Sequence, residues 1–259
     1  MTGDAPLVSI IILNYNHPEM IEACLRTLMI TEGVPYEVVV VDNGSRPAVV
    51  EYLRTEQASG RITTLIEEPV NHMFVANNIG VAASDQRSEY VLLLNSDVEI
   101  VGADWLAKTV GWAEVTTVAR PFPYTTKPTV ADPGPRDVVS VGWAWDPTVE
   151  GHARPDGFCC LIRRSVWHDI SPDFPWHYGL EEALCAAARD GAKIGVLCKY
   201  QPYIVHHGQG SGPVGDIGAT HVRQPDMPAW FAGIRIETLD FTVDPDPAVP
   251  YEDCSFMEW

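Results

Sequence analysis

Three short polar clusters follow apolar runs in the first hundred residues: Asn14-Tyr15-Asn16 after "LVSIIIL", Asp42-Asn43-Gly44-Ser45 after "YEVVVV", and Asn95-Ser96-Asp97 after "YVLLL". Taken singly, each is a turn, because Asn, Ser and Asp side chains bond nearby backbone groups. If the runs are strands of one parallel sheet, all three clusters lie along its C-terminal edge, where open α/β sheets bind their ligands. Carboxylates and amides there suit ribose hydroxyls, a base N–H, or a hard cation that carries phosphates. No GxGxxG follows the first run and no GxxxxGK[ST] occurs anywhere, so neither a dinucleotide fingerprint nor a P-loop is present.

The elements that must position these residues are readable from hydrophobic period and breakers. "LVSIIILNYN" is a strand buried on both faces, and "PEMIEACLRTLM" from Pro18 to Met29 is a helix with Ile21, Leu25 and Leu28 on one side and Pro at its start. "YEVVVVDNGS" repeats the strand, a helix is expected at about 47–58, and "RITTLIE" is a short strand. "NHMFVANNIGVAAS" reads as a turn entering a helix, and "YVLLLNSDVEI" as the next strand. A helix from Trp105 to Val115 precedes "RPFPYTTKPTVADPGPRD", too rich in Pro for regular structure. Beyond it, "GFCCLIRRSVWHDI" is a strand running into a helix start, "LEEALCAAARDG" a helix closed by Gly191, "AKIGVLC" a strand, and "YIVHHGQGSG" the exit into a glycine-rich loop. Strands alternating with helices predict a single α/β domain with a mostly parallel sheet and right-handed crossovers.

Composition narrows the partners. The 259 residues carry a formal net charge of −18, which repels phosphate backbones and anionic lipid and argues against nonspecific nucleic-acid or membrane-surface binding. After Arg235 there is no Lys or Arg while seven acids follow among prolines, from Glu237 to Glu258, which predicts a solvated tail or a strap on the surface. No apolar run approaches the ~20 residues that span a bilayer, and no basic residue precedes the first run as in a signal peptide, so a cytoplasmic protein is expected. The six cysteines form no CxxC pair and are expected to be reduced and mostly buried, with Cys159 and Cys160 on opposite faces of a strand.

In this order and at this spacing, "VSIIILNYN", "VVVVDNGS", "NHMFVANNIGVA", "VLLLNSDVEI", "GFCCLIRRSVW" and "VHHGQGS" resemble the inverting glycosyltransferases of family 2, which have the GT-A fold. The resemblance covers about residues 7–211 and implies a GT-A domain over 1–235. Its nucleotide-binding half would be about 1–100 and its metal and acceptor half about 101–211, with 236–259 as an acidic tail. It implies that Asp42 binds the base or ribose, that the backbone at Asn14 and Tyr15 packs the base, and that Asn71, Asn77 and Asn78 contact the nucleotide sugar. The family's usual glycine in that turn is Met73 here. "NSD" matches the DxD-like motif, with Asn95 at its first position and Asp97 as ligand of Mg²⁺ or Mn²⁺ on the donor diphosphate. His206, or failing it His207, would complete the metal's coordination, and the glycines up to Ser211 would close over the diphosphate. Glu182 would be the general base that deprotonates the acceptor, with Glu181 shaping the acceptor pocket. The donor implied is a UDP- or dTDP-linked sugar, and the acceptor a hydroxyl of a glycan, a protein or a small molecule.

Trp143, Trp145, Trp176 and His177 either line an acceptor pocket or anchor core and loops, and both readings stay open. Two other functions compete. A non-catalytic nucleotide-sugar or glycan-binding protein would show metal-dependent binding without turnover, and a sugar nucleotidyltransferase would carry a GxGTR-type loop that this chain lacks.

Overall fold

The computed structural model describes residues 7–114, 135–141, 157–173, 179–198, 202–207, 235–240 and 255–258. Within them the expected alternation is present: β1 (Val8–Asn14), α1 (Pro18–Leu28), β2 (Tyr36–Asn43), α2 (Pro47–Ala58), β3 (Thr64–Glu68), α3 (Ala76–Ala83), β4 (Tyr90–Asn95), β5 (Val98–Ile100) and α4 (Trp105–Glu114). The second half adds β6 (Val138–Val141), β7 (Cys159–Arg163), α5 (Gly179–Arg189), β8 (Ile194–Cys198), β9 (Ile204–His206), β10 (Arg235–Asp240) and β11 (Ser255–Glu258).

The described strands form one large sheet in the order β11-β10-β8-β6-β7-β4-β1-β2-β3, and a small ribbon of β5 with β9. In the large sheet β1, β2, β3, β4, β6, β8 and β10 run the same way, while β7 and β11 run against them. The central strands are apolar on both faces because helices cover both. Ile10, Ile12, Val38 and Val40 pack on one side, and Ile11, Val39, Val91 and Leu93 on the other. Cys159 and Cys160 divide between the two cores as the two-residue strand period requires, and with Cys24 and Cys185 they are buried thiols.

Helix α1 begins with Pro at its first turn and buries Ile21, Cys24, Leu25 and Leu28. Each aliphatic side chain so buried contributes about 1.5–3 kcal/mol, which seats the start of α1 beside the end of β1. Helix α3 approaches the sheet closely: a Cβ on Gly80 would lie 2.4 Å from Ile11 Cγ2. The helix start expected after "GFCCLIRR" is only a 3-10 turn, Arg164–Val166. The Arg164 guanidinium there binds Ser9 Oγ, Ser84 Oγ and the Ser88 carbonyl instead of leaving the sheet.

The acidic C-terminal stretch differs from expectation. The boundary placed after residue 235 falls on the first residue of β10, which pairs parallel with β8 and antiparallel with β11. Charge and proline content pointed to a tail. The two strands themselves contain no Pro; β10 is paired on both sides, and β11 is the edge, where an acid such as Glu258 deters further pairing.

Candidate functional site

The register brings the three polar clusters together. Asn14 at the end of β1 stands opposite Asp42 of β2, and Leu13 opposite Asn95 of β4. Asp42 is 1% exposed and engaged on both oxygens: Oδ1 accepts from Asn14 Nδ2 at 3.0 Å, and Oδ2 from the Ser45 backbone N–H at 3.0 Å. Ser45 Oγ in turn accepts from Asn14 Nδ2 at 3.2 Å and from the Asn16 N–H at 2.8 Å. Asp42, expected to touch a base or ribose, joins the two loops through one hydrogen bond on each oxygen. Asn14, also 1% exposed, is part of the same junction, and Tyr15 is the half-buried residue beyond it.

The next residue on β2 has a task that sequence reasoning missed. Asn43, 3% exposed, accepts from the His72 N–H at 2.8 Å and donates to the Met73 carbonyl at 3.1 Å, while Asn71 Oδ1 accepts from the Met73 N–H at 2.8 Å. These bonds hold Met73 at φ 55°, the left-handed conformation for which glycine is the usual residue. The Met in that turn was the signal, since a non-glycine there needs such a brace. Gly44, at φ 86°, completes the contact, because a Cβ on it would lie 2.9 Å from the Val70 carbonyl carbon. Gly44→Ala is expected to cost about 2–4 kcal/mol from the strained φ plus the clash, seen as a melting temperature lower by roughly 5–10 °C. An unchanged melting temperature would show that the loop yields freely.

Asn77 and Asn78 go elsewhere. Asn77, 3% exposed, donates to the Phe74 carbonyl at 2.9 Å on the face of α3 turned to the sheet. Asn78 clamps the Ile170 peptide through both amide atoms, each at 2.9 Å. Asn78 thus engages both amide atoms within the fold, whereas Asn77 does so through its Nδ2.

The third cluster ends at a carboxylate with a partner from the second half. Asp97 is 3% exposed, and its Oδ1 lies 3.5 Å from His206 Nε2. The β5–β9 ribbon makes this meeting by pairing Val98 with His206, and the His207 N–H donates to the Asp97 carbonyl at 3.1 Å. The imidazole of His206 stacks on Phe158, with ring centroids 4.2 Å apart. Phe158 also accepts the Asn95 N–H at 2.8 Å. His207, the alternative ligand, turns instead to Glu99 Oε1 at 2.8 Å. Asp97, Glu99 and His207 line a cavity of about 180 Å³ with Glu19, Met20 and Ala23 of α1. Cys24 on the same helix is inert: burial first, then the Asp97 and Glu99 charges, push its thiol up to about 12.

Helix α5 packs against the residue that precedes Phe158. Its Leu180 packs so near Gly157, the neighbour of Phe158, that a Cβ there would lie 3.2 Å from Leu180 Cδ2. Glu182 is half-buried in the first turn of α5, where the helix dipole favours a carboxylate. Trp143, Trp145, Trp176, His177, the side chain of Glu181 and the glycine-rich stretch up to Ser211 lie outside the described residues.

Among the described residues no three His, Cys, Asp or Glu side chains are grouped to hold a metal. Asp97 and His206 form a pair, one hard oxygen donor and one imidazole, which suits Mg²⁺ or Mn²⁺ whose other positions are filled by phosphate oxygens and water. No helix among the described residues is long and apolar enough to cross a membrane.

Comparison with known proteins agrees with this architecture. An uncharacterized protein of Sinorhizobium fredii, y4gI, is 36% identical over 113 residues, which are 42% of this chain and 12% of that protein. The glycosyltransferase AglE of Haloferax volcanii is 38% identical over 88 residues, 32% of this chain and 29% of that one. The chain thus spans well under half the length of these relatives. The mannosyltransferase PcManGT of Pyrobaculum calidifontis, solved in complex with GDP-Man and Mn²⁺, shares the fold with a TM-score of 0.50 at 20% identity, covering 73% of this chain and 53% of that one. The chain has the GT-A fold, and its residues 9–136 match the model of glycosyl transferase family 2, the family to which that stretch belongs.

Proposed function

We propose that the chain is a metal-dependent, inverting glycosyltransferase that moves a sugar from a nucleoside-diphosphate donor to an acceptor hydroxyl. The observation that carries this reading is the Asp97–His206 pair at 3.5 Å on the edge where three polar strand ends converge. The name of AglE and the Mn²⁺ and GDP-Man of PcManGT support it.

In this reading Tyr15 packs the base, Asn14 and Asp42 fix the loop that presents it, and Asn71 and Asn95 lie toward the sugar and diphosphate. Asp97 and His206 would hold Mn²⁺ or Mg²⁺, which when bound offsets the charge of the departing diphosphate. Glu182 takes the acceptor proton, the freed oxygen attacks the anomeric carbon opposite the leaving group, and the carbon–phosphate-oxygen bond breaks with inversion. The test is a melting panel of UDP-, dTDP- and GDP-sugars with and without Mn²⁺, since a ligand bound only by the native state raises stability. Donor hydrolysis or transfer in the same samples identifies the enzyme. Metal-dependent binding without either identifies a binding protein.

His206 offers a narrower test. His206→Phe keeps the ring stacked on Phe158 but removes the nitrogen donor, so the Mn²⁺ concentration for half-maximal donor binding should rise roughly tenfold or more, with the metal-free melting temperature unchanged. The same Mn²⁺ dependence as wild type would return His206 to a packing role.

A further inference from the structure

Beyond Asp42, which joins the two loops through one hydrogen bond on each oxygen, the loop after β2 carries Arg46. Its main-chain N–H and its Nε both donate to Asn16 Oδ1, at 3.0 and 3.2 Å. Asn16 is itself fixed by its N–H bond to Ser45 Oγ at 2.8 Å. The guanidinium is thus held along one edge, and its two terminal amino groups form no hydrogen bond with any described residue. Asn16 and His17 are consecutive residues in the left-handed region, at φ 55° and 48°. Such backbone persists only where neighbours over-determine it, and it clusters at binding sites. The charge of Arg46 is felt within the crevice: the Glu19 carboxyl is held below its ordinary value, first by its own backbone N–H and then by His17 and Arg46. Glu19 lines the cavity that Asp97 also lines.

The sheet order sets what Arg46 would meet. β1 lies between β4 and β2, and with strands about 4.8 Å apart the end of β2 is about 10 Å along the edge from that of β4. If the diphosphate is at Asp97, the far end of the donor at β2 is the nucleobase. An arginine fixed by Nε presents two planar amino donors, which fit carbonyl oxygens and not an exocyclic amine.

We propose that Arg46 is a specificity-determining residue that reads a carbonyl oxygen of the donor's base, selecting uracil, thymine or guanine over adenine. This rests on the glycosyltransferase reading above. The test is calorimetric binding of UDP, dTDP, GDP and ADP in Mn²⁺ to wild type and to Arg46→Ala, which keeps the main-chain bond to Asn16. Wild type should bind one of the three carbonyl-bearing nucleotides better than ADP, and Arg46→Ala should lose roughly 10- to 100-fold for that nucleotide with ADP unchanged. An equal loss for ADP would overturn the proposal in favour of a collapsed turn, and no loss would overturn it in favour of a surface side chain; both leave the glycosyltransferase reading intact. Failure of wild type to bind any of the four with Mn²⁺ would overturn that reading and this one together.

Discussion

Asp97→Asn is expected to abolish the Mn²⁺-dependent part of donor binding, a loss on the order of 10²-fold or more, because an amide is a poor ligand for a hard cation and cannot offset its charge. The chain should still fold. The Asp97 carbonyl that accepts the His207 N–H survives the change, and the amide fills the same buried space. Calorimetry with UDP or whichever nucleotide wild type prefers, with and without Mn²⁺, separates the two parts of the affinity. Binding without metal should match wild type, and binding with metal should fall to that level. A variant that gains as much affinity from Mn²⁺ as wild type would mean that the carboxylate only ends a strand and steadies His206.

Glu182→Gln should lower turnover by ~10²- to 10⁴-fold, the range a general base contributes, while donor binding survives because the amide keeps the shape and cannot take the proton. Glu182 stands in the first turn of α5, whose Leu180 packs against Gly157, the residue before Phe158. Glu181→Gln should act on acceptor affinity instead. Turnover at saturating donor and acceptor is the measurement, with donor binding checked separately. A large loss in Glu181→Gln with none in Glu182→Gln would exchange their roles, and no loss in either would move the base off this helix.

Much of the architecture was legible because it is written locally. Pro18 and Pro47 mark the starts of α1 and α2, the runs of Ile, Val and Leu mark strands covered on both faces, and Gly191 at φ 100° closes α5. Local signals also misled. The acids after Arg235 obey the rule for a solvated tail, yet β10 and β11 pair through backbone atoms that composition does not report. Residue type does not report that both amide atoms of Asn78 bond the Ile170 peptide, which depends on how α3 packs.

By itself the sequence determined that polar clusters would stand together on one sheet edge, since buried parallel strands must end their apolar runs on the same side. Only the tertiary structure decided which side chains of those clusters face each other and which face the crevice. Asp42 turned inward to Asn14 and Ser45, Asn43 became the brace of the Met73 turn, and Asp97 met His206 through the β5–β9 register. The reason is physical: strand and helix preference is set by neighbours a few residues away, whereas a side chain's partner is set by register and packing between segments far apart in the chain, where a shift of one residue sends every side chain to the other face.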